Sequence, residues 1–435
     1  MTEKNINIKI NENESKNENE NIFTGRVRNL SSKGLGVVEH TDGKVFFVRG
    51  VWPGDYGEFR IDLFKKKYGF ATLVKLIEAS DERISSEVPC AFQGHIIGKC
   101  GGCPWMMAQY QHQLKYKEHH ILHTLSRFKI TDSNTDSNVN LNLDFIKKIW
   151  PSDNIYQYRN RLQLKTDGVH IGMVSAGSNV LVPLNDCIIL NKNCRNLLAK
   201  LVSKLPCDEW KPTSHYKWNF LEIDDKIESI ESIESIDSIE EIKLNKRRPF
   251  LQGNNEQNQK MRQWLHIKLT ELFSYEKDNN LNYDSVVVEL FSGSGNFTEI
   301  LSNFGLNKIF ACEVQGEAVQ IAKEKKLKGV TSLAIDLYSK NIWRKLAKEF
   351  LEIRNAKLII LNPPREGLDN RNYFFEIFPK VEAIVYISCD IETYSRDVCD
   401  FLKRGFKVLE LQPLDQFPHT PHVEVLSILK KIPQK

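Results

Sequence analysis

Two apolar segments in the C-terminal half of the chain, each followed by a polar signature, constrain the fold most. Residues 285–292 (SVVVELFS) have the composition of a buried strand and run into Gly293-Ser-Gly295, and residues 308–313 (KIFACE) end in an acid. A glycine turn that opens a helix, followed by a second strand with a terminal carboxylate, is typical of a Rossmann-like α/β sheet. In such sheets the carboxylate binds two ribose hydroxyls, so we predict that Glu313 contacts a nucleotide ribose. The pattern leaves NAD and S-adenosylmethionine both open.

Two further predicted strands bring polar and reactive residues to the same edge of the sheet. Residues 357–361 (KLIIL) lead into Asn362-Pro-Pro, and residues 383–387 (AIVYI) lead into Ser388-Cys389-Asp390. Open α/β sheets bind ligands at the carboxyl ends of their strands, so we expect Asn362 and Cys389 to face the cleft. A buried cysteine at a strand end is the alternative, and the polar residues that follow Cys389 argue against it.

A carboxylate, Glu424, follows Cys389 after 35 residues. A thiolate and a carboxylate in one site are needed when a reaction adds a nucleophile to an electron-poor ring and later removes a proton. The pair predicts covalent catalysis.

A second group of cysteines has the spacing of a metal site. Cys100 and Cys103 form a Cys-Gly-Gly-Cys pair, Cys90 precedes them, and Cys187 is a plausible fourth ligand. Spacing alone is compatible with structural zinc, an iron–sulfur cluster or a redox dithiol. The remaining cysteines, Cys194, Cys207, Cys312 and Cys399, lack such context and are predicted to be structural.

The charge of the chain favours a nucleic-acid partner. The formal charge is +4, but residues 1–21 and 222–241 carry −2 and −8, so the remainder carries +14. A basic surplus of this size is expected of a nucleic-acid binder. Between residues 22 and 79, short apolar runs alternate with glycine turns and basic residues, which predicts a small β-barrel with an RNA- or DNA-binding face.

The same composition suggests how the chain is divided. We predict a disordered tail at 1–21, a β-barrel at 22–80, a central α+β domain at 81–248 and an α/β domain at 249–435. The Ile-Glu-Ser repeat predicts a low-complexity insertion at 224–243, and residues 131–138 (TDSNTDSN) predict a loop. Because no signal peptide or apolar run of membrane-spanning length is present, we expect a cytoplasmic protein that is not membrane-bound.

Several motifs, taken in their order and spacing, resemble the RNA uracil-5-methyltransferase family in its form with an N-terminal TRAM domain and a 4Fe-4S cluster. The resemblance runs from about residue 22 to 430. The matching segments are Gly34-Leu-Gly36 to Gly54, Cys100-Gly-Gly-Cys103, Tyr158-Arg-Asn-Arg161, Phe250-Leu-Gln252-Gly-Asn254, Glu289 to Thr298, Asn362-Pro-Pro-Arg365, Ile387-Ser-Cys-Asp390 with Arg396-Asp397, and Asp415 to Glu424.

This resemblance implies a class I methyltransferase domain that methylates C5 of uridine in RNA, as a monomer. Uracil C5 is a weak nucleophile, so Cys389 would first add to C6 and Glu424 would later remove the C5 proton. The target base would be unpaired or flipped out of the RNA. Large-subunit (23S) ribosomal RNA is the favoured substrate and tRNA the second.

The resemblance also assigns ligand-binding residues. The S-adenosylmethionine contacts would be Gln252, Phe291, Asn296, Glu313, Asp336 and Asn362, and the cluster ligands Cys90, Cys100, Cys103 and Cys187. The chain departs from the family in two places: Asn362 stands where the family has Asp, and nine residues separate Cys90 from Cys100, more than is usual. Two other functions stay open, namely a methyltransferase with an amine target on RNA or protein, and a non-catalytic RNA-binding or assembly factor.

Overall fold

The computed structural model describes residues 21–130, 143–213, 215–227, 242–274, 281–339, 342–368 and 371–432. Residues 1–20 of the predicted tail, the 131–138 loop and most of the predicted insertion lie outside these ranges. The chain forms two compact units. The N-terminal unit comprises residues 1–116, 154–247 and 417–421, and the C-terminal unit comprises residues 117–153, 248–416 and 422–435.

The N-terminal unit begins with the small barrel that the sequence predicts. Five strands close in the order β1-β2-β3-β5-β4. The strands are β1 (Ile22–Leu30), β2 (Gly36–Glu39), β3 (Val45–Val48), β4 (Tyr56–Phe64) and β5 (Tyr68–Glu78). Alternate residues point inward, as the two-residue period of a strand requires, and Val38, Phe46 and Phe59 fill the core. The buried Asp55 accepts hydrogen bonds of 2.8 and 2.7 Å from Arg83, which ties the barrel to the segment that follows it.

The rest of the N-terminal unit contains a four-stranded antiparallel sheet. Its strands run in the order β8-β7-β6-β9. They are β6 (Arg161–Thr166), β7 (Ile171–Val174), β8 (Leu181–Pro183) and β9 (Asn219–Asp224). Leu197, Leu198 and Leu201 of helix α2 (Lys192–Ser203) belong to the same apolar core as Leu164 and Leu221 of the sheet. A short 3-10 helix, Asp208–Trp210, contributes Trp210 to this core.

The C-terminal unit contains an α/β sheet of the kind that the sequence predicts. Its seven strands run in the order β12-β11-β10-β13-β14-β16-β15. They are β10 (Val286–Leu290), β11 (Lys308–Glu313), β12 (Val330–Ala334), β13 (Ala356–Leu361), β14 (Ala383–Ser388), β15 (Phe406–Leu414) and β16 (Glu424–Lys431). Strands β10 to β14 are parallel, and β16 enters antiparallel between β14 and β15.

The helices of this unit lie before and between the strands of the sheet. They are α3 (Asn255–Ser274), α4 (Thr298–Asn303), α5 (Gly316–Glu324), α6 (Ile342–Glu349), the 3-10 helix Leu351–Asn355, α7 (Arg371–Ile377) and α8 (Ile391–Leu402). Helix α1 (Tyr110–Arg127) precedes them in the chain. Within the described ranges, every helix is too short or too polar to cross a membrane.

Candidate active site

The sheet brings Cys389 and Glu424 together at one edge. Strand β14 ends at Ser388, which pairs with Val425 of β16. Cys389 follows Ser388 and Glu424 precedes Val425. The antiparallel register therefore makes Cys389 and Glu424 neighbours. Cys389 is partly buried and Glu424 is 4% exposed. The two residues that the sequence predicts as a reactive pair therefore share one site.

Burial dominates the electrostatics of this pair. Burial, and after it the charge of Glu424, raise the pKa of the Cys389 thiol to about 12. Burial also raises the pKa of the Glu424 carboxyl to about 8. Arg365 opposes both changes, since its positive charge lowers both pKa values. Its Nη2 atom lies 3.2 Å from Nε2 of His422.

The carboxylate of Glu313 is held at the glycine turn. Its Oε2 atom accepts a 2.9 Å hydrogen bond from the amide of Gly293, and Oε1 accepts bonds of 2.9 Å from the amides of Val314 and Gln315. The turn needs glycine because Gly293 and Gly295 have φ angles of +54° and +82°, which disfavour a side chain. The acid and the turn, which the sequence predicts to act together, are in contact.

Phe291, Asp336 and Asn362 follow strand ends of the same sheet. Phe291 has a φ of +64°, and its ring centre lies 5.6 Å from that of Tyr338. Asp336 accepts a 3.0 Å bond from the amide of Tyr338. The backbone amide of Asn362 donates a 3.3 Å hydrogen bond to the backbone carbonyl of Leu290, and this bond joins the ends of β13 and β10.

Asn296 and Gln252 are engaged by other amide side chains of the C-terminal unit. Asn296 and Asn258 exchange side-chain hydrogen bonds of 2.8 and 3.2 Å. The Oε1 atom of Gln252 accepts a 3.2 Å bond from Gln416. These contacts orient the two amides that the family resemblance assigns to S-adenosylmethionine.

A buried carboxylate that the sequence shows only as part of a motif fixes the segment carrying Arg365. Asp397 accepts bonds of 2.7 Å from the amide of Leu368 and 2.6 Å from the hydroxyl of Tyr386. Gly367 has a φ of +68°, and a Cβ there would lie 2.5 Å from Asp397. The loop from Asn362 to Leu368 therefore depends on Asp397, a role that sequence reasoning missed.

Sequence reasoning also missed a fully buried ion pair. The ammonium group of Lys117 in α1 lies 2.5 Å from the Asp415 carboxylate, and both side chains are 0% exposed. Asp415 follows Leu414, the residue of β15 that pairs with Glu424. The sequence does contain one indication of this ion pair. Lys117 lies four residues from Gln113 and from Ile121, and the three residues share the buried face of the helix.

The four predicted metal ligands lie near one another in the N-terminal unit. Cys90, Cys103 and Cys187 pack in one apolar cluster, and all four cysteines are free thiols. Burial raises the pKa of Cys103, and the charges of Cys187, Cys100 and Cys90 raise it further. Nevertheless, across the described ranges no three His, Cys, Asp or Glu side chains are placed to hold one metal ion. The structure therefore shows four neighbouring thiols and does not show a metal site.

The strand order of the C-terminal unit, with β16 inserted antiparallel between β14 and β15, is that of class I S-adenosylmethionine-dependent methyltransferases. The crystal structure of a tRNA (uracil-54, C5)-methyltransferase from Pyrococcus abyssi with S-adenosyl-L-homocysteine has the same fold. Its TM-score is 0.62 at 20% identity, over 94% of this chain and 100% of that chain.

Comparisons of the sequence identify the family, whereas the structural comparison identifies the fold. Residues 225–432 match the family of tRNA (uracil-5-)-methyltransferases. An RNA methyltransferase of Nitrosomonas europaea is 40% identical over 415 residues, which cover 94% of this chain and 97% of the relative. The 23S rRNA (uracil(1939)-C(5))-methyltransferase of Haemophilus parainfluenzae is 25% identical, over 93% of this chain and 95% of the relative. The chain belongs to the RNA uracil-5-methyltransferase family, and the sequence-based prediction of this family is confirmed.

Proposed function

We propose that this protein methylates C5 of a uridine in 23S ribosomal RNA. The observation that carries this proposal is the adjacency of Cys389 and Glu424 at the edge of the methyltransferase sheet. Family membership favours RNA as the substrate, and an amine-directed reaction would have no use for this pair.

The proposed reaction assigns one task to each residue. The Cys389 thiol first loses its proton to solvent. The thiolate sulfur then forms a bond to uracil C6, and the C5–C6 double bond becomes an enolate with its negative charge shared by C5 and O4. S-adenosylmethionine would supply the methyl group that C5 takes and would leave as S-adenosyl-L-homocysteine. Glu424 then removes the remaining C5 proton, the C5–C6 double bond re-forms, and the C6–sulfur bond breaks. Arg365 favours the charged forms of both residues.

The methyl donor would bind along the carboxyl edge of β10, β11 and β13. Glu313 would accept hydrogen bonds from the ribose, and Phe291 and Asp336 would lie near the adenine. Gln252, Asn296 and Asn362 would hold the rest of the molecule. The two bonds that Glu313 receives from Val314 and Gln315 keep its carboxylate fixed before the ligand binds.

Nucleoside mass spectrometry with site mapping tests the proposal in cells with and without the gene. Loss of one 5-methyluridine from 23S rRNA is the expected result, restored by the wild-type gene and by Cys399→Ala but not by Cys389→Ala. Loss of 5-methyluridine from tRNA instead of 23S rRNA would support the proposed reaction but would show that tRNA is the substrate. Unchanged 5-methyluridine in all RNA would refute the reaction, and methylation that survives Cys389→Ala would point to an amine target.

The N-terminal unit would hold the RNA, with the barrel as a TRAM domain and with Cys90, Cys100, Cys103 and Cys187 as ligands of a 4Fe-4S cluster. The four neighbouring thiols fit this group in number and in kind. Protein purified without oxygen should contain about four irons per chain. Cys187→Ala should lower the iron content, while Cys194→Ala, which alters a buried cysteine of the same unit, should not. Stoichiometric zinc, or no metal at all, would contradict the cluster.

A further inference from the structure

The outer face of the barrel carries three neighbouring aromatic rings. Phe47 of β3 pairs with Phe70 of β5, and their ring centres lie 5.9 Å apart. Tyr68 lies 5.7 Å from Phe47 and 5.8 Å from Phe70. All three are only partly buried, because their neighbours Phe46 and Gly69 take the inward positions. These rings therefore do not belong to the barrel core.

A cavity of about 240 Å³ lies beside these rings, within the N-terminal unit. Its lining includes Phe47, Phe70, Arg49, Asp62, His95 and Ile96. The last two belong to the nine residues between Cys90 and Cys100, where the chain is longer than the family pattern. His95 packs so closely on Gly50 that a Cβ there would lie 2.2 Å from its ring. The cavity is therefore formed jointly by the barrel and this loop.

The surroundings of the cavity are apolar at one rim and basic at another. Ile96 and Ile97 are 60% and 57% exposed. Lys65 lies 5.4 Å from the Tyr68 ring centre and 5.9 Å from that of Phe70, and two more lysines follow it. Five barrel acids are already paired, with Arg26, Arg28, Lys44, Arg60 and Arg83. Among the described residues, Arg49 and the three lysines at 65–67 have no carboxylate partner.

We propose that this cavity binds one unpaired nucleobase of the RNA, stacked on Phe47 and Phe70, with the adjoining phosphates at Arg49 and residues 65–67. Outward aromatic residues on a sheet with nearby cations are the usual platform for single-stranded RNA. The volume is smaller than the roughly 300–1,000 Å³ of pockets for larger ligands, which suits a single base. The Asp62 carboxylate lies 3.7 Å from the Arg60 guanidinium and accepts a 2.6 Å bond from the Thr72 hydroxyl. Its remaining lone pairs can accept a hydrogen bond from a base edge. The inference rests on the proposed function only in that RNA is the substrate.

The basic rim is what favours RNA over a peptide as the occupant. A hydrophobic peptide would fill the aromatic cavity equally well, but it would leave the four unpaired cations without counter-charges. RNA satisfies both parts of the surface, since its bases stack and its phosphates neutralise the cations.

Binding of a fluorescent oligoadenylate to the full chain tests the proposal. This probe contains no uracil, so its affinity does not depend on the proposed reaction, and either proposal can fail without the other. Phe47→Leu and Phe70→Leu should each weaken binding about fivefold or more, because they remove a stacking face. Phe64→Leu, at an exposed aromatic outside the cavity, should leave binding unchanged.

The salt dependence separates stacking from a general loss of structure. The Phe70→Leu variant should keep the wild-type slope of log affinity against log salt, whereas replacing the lysines at 65–67 by glutamine should make the slope shallower. Ile96→Asp, on the exposed loop, should also weaken binding, while Val74→Asp, at a 50% exposed barrel site, should do so much less.

Wild-type affinity in both phenylalanine variants would overturn the proposal. So would ultraviolet cross-links of the probe that map only to the C-terminal unit. Binding of a hydrophobic peptide at this surface with no binding of oligoadenylate would assign the cavity to a protein partner and would likewise overturn it.

Discussion

The buried carboxyl of Glu424 should make the stability of this protein depend on pH in a way that one substitution removes. Burial raises its pKa from 4.5 to about 8, and the side chain is 4% exposed. Between these two pH values the folded protein keeps a proton that the unfolded chain has lost. The free energy of unfolding therefore falls as the pH rises through this window and levels off above about pH 8.

The size of the effect follows from the same two pKa values. Each pH unit between the two pKa values of Glu424 lowers the free energy of unfolding by about 1.36 kcal/mol. The total decrease is about 5 kcal/mol at high pH, and about 3 kcal/mol of it has occurred by pH 7. Glu424→Gln keeps the shape of the side chain and removes its ionisation. The variant should gain stability relative to the wild type by about 4 kcal/mol between pH 5 and pH 9.

Urea-induced unfolding at pH 5, 7 and 9, followed by tryptophan fluorescence, measures this difference. Any pH-independent cost of the substitution cancels between pH values. Cys389 keeps its proton in the folded protein over this range, because burial raises its pKa to about 12, and its ionisation in the unfolded chain is the same in wild type and variant. Glu366→Gln, at an exposed glutamate, should show no pH-dependent gain. A constant difference between the Glu424→Gln variant and the wild type at all three pH values would refute the reasoning.

Two further substitutions test other parts of the site. Lys117→Met should lower the free energy of unfolding by about 3–5 kcal/mol, because it leaves the buried Asp415 without its cation; Lys115→Met, at an exposed position of the same helix, should have little effect in the same urea titration. Glu313→Gln should weaken binding of S-adenosyl-L-homocysteine about tenfold or more in calorimetry, because a charged hydrogen-bond acceptor is lost. Glu324→Gln should not, and equal affinities of the two variants would contradict the ribose assignment.

Local sequence patterns predict the parallel strands and the glycine turn well, for a physical reason. Strands buried on both faces need nearly continuous apolar runs, and Val286–Leu290 and Ala356–Leu361 have them with one charged residue each. Long-range partners leave no such local pattern. Lys117 meets a carboxylate 298 residues away, and Asp397 binds a backbone amide 29 residues away. The antiparallel insertion of β16 beside β14, which makes Cys389 and Glu424 neighbours, is likewise a property of the whole sheet.

The electrostatics of the site explain why a cation has to stand beside the two proposed reactive residues. At pH 7 the Cys389 thiol and most of the Glu424 carboxyl hold their protons, because burial raises both pKa values. A thiol in that state is a poor nucleophile, since the thiolate is the reactive form. Arg365 favours the charged form of both residues, and its backbone segment is held through the bond between the Leu368 amide and the Asp397 carboxylate. In the proposed reaction, Asp397 would therefore act indirectly, by placing the positive charge that both residues need.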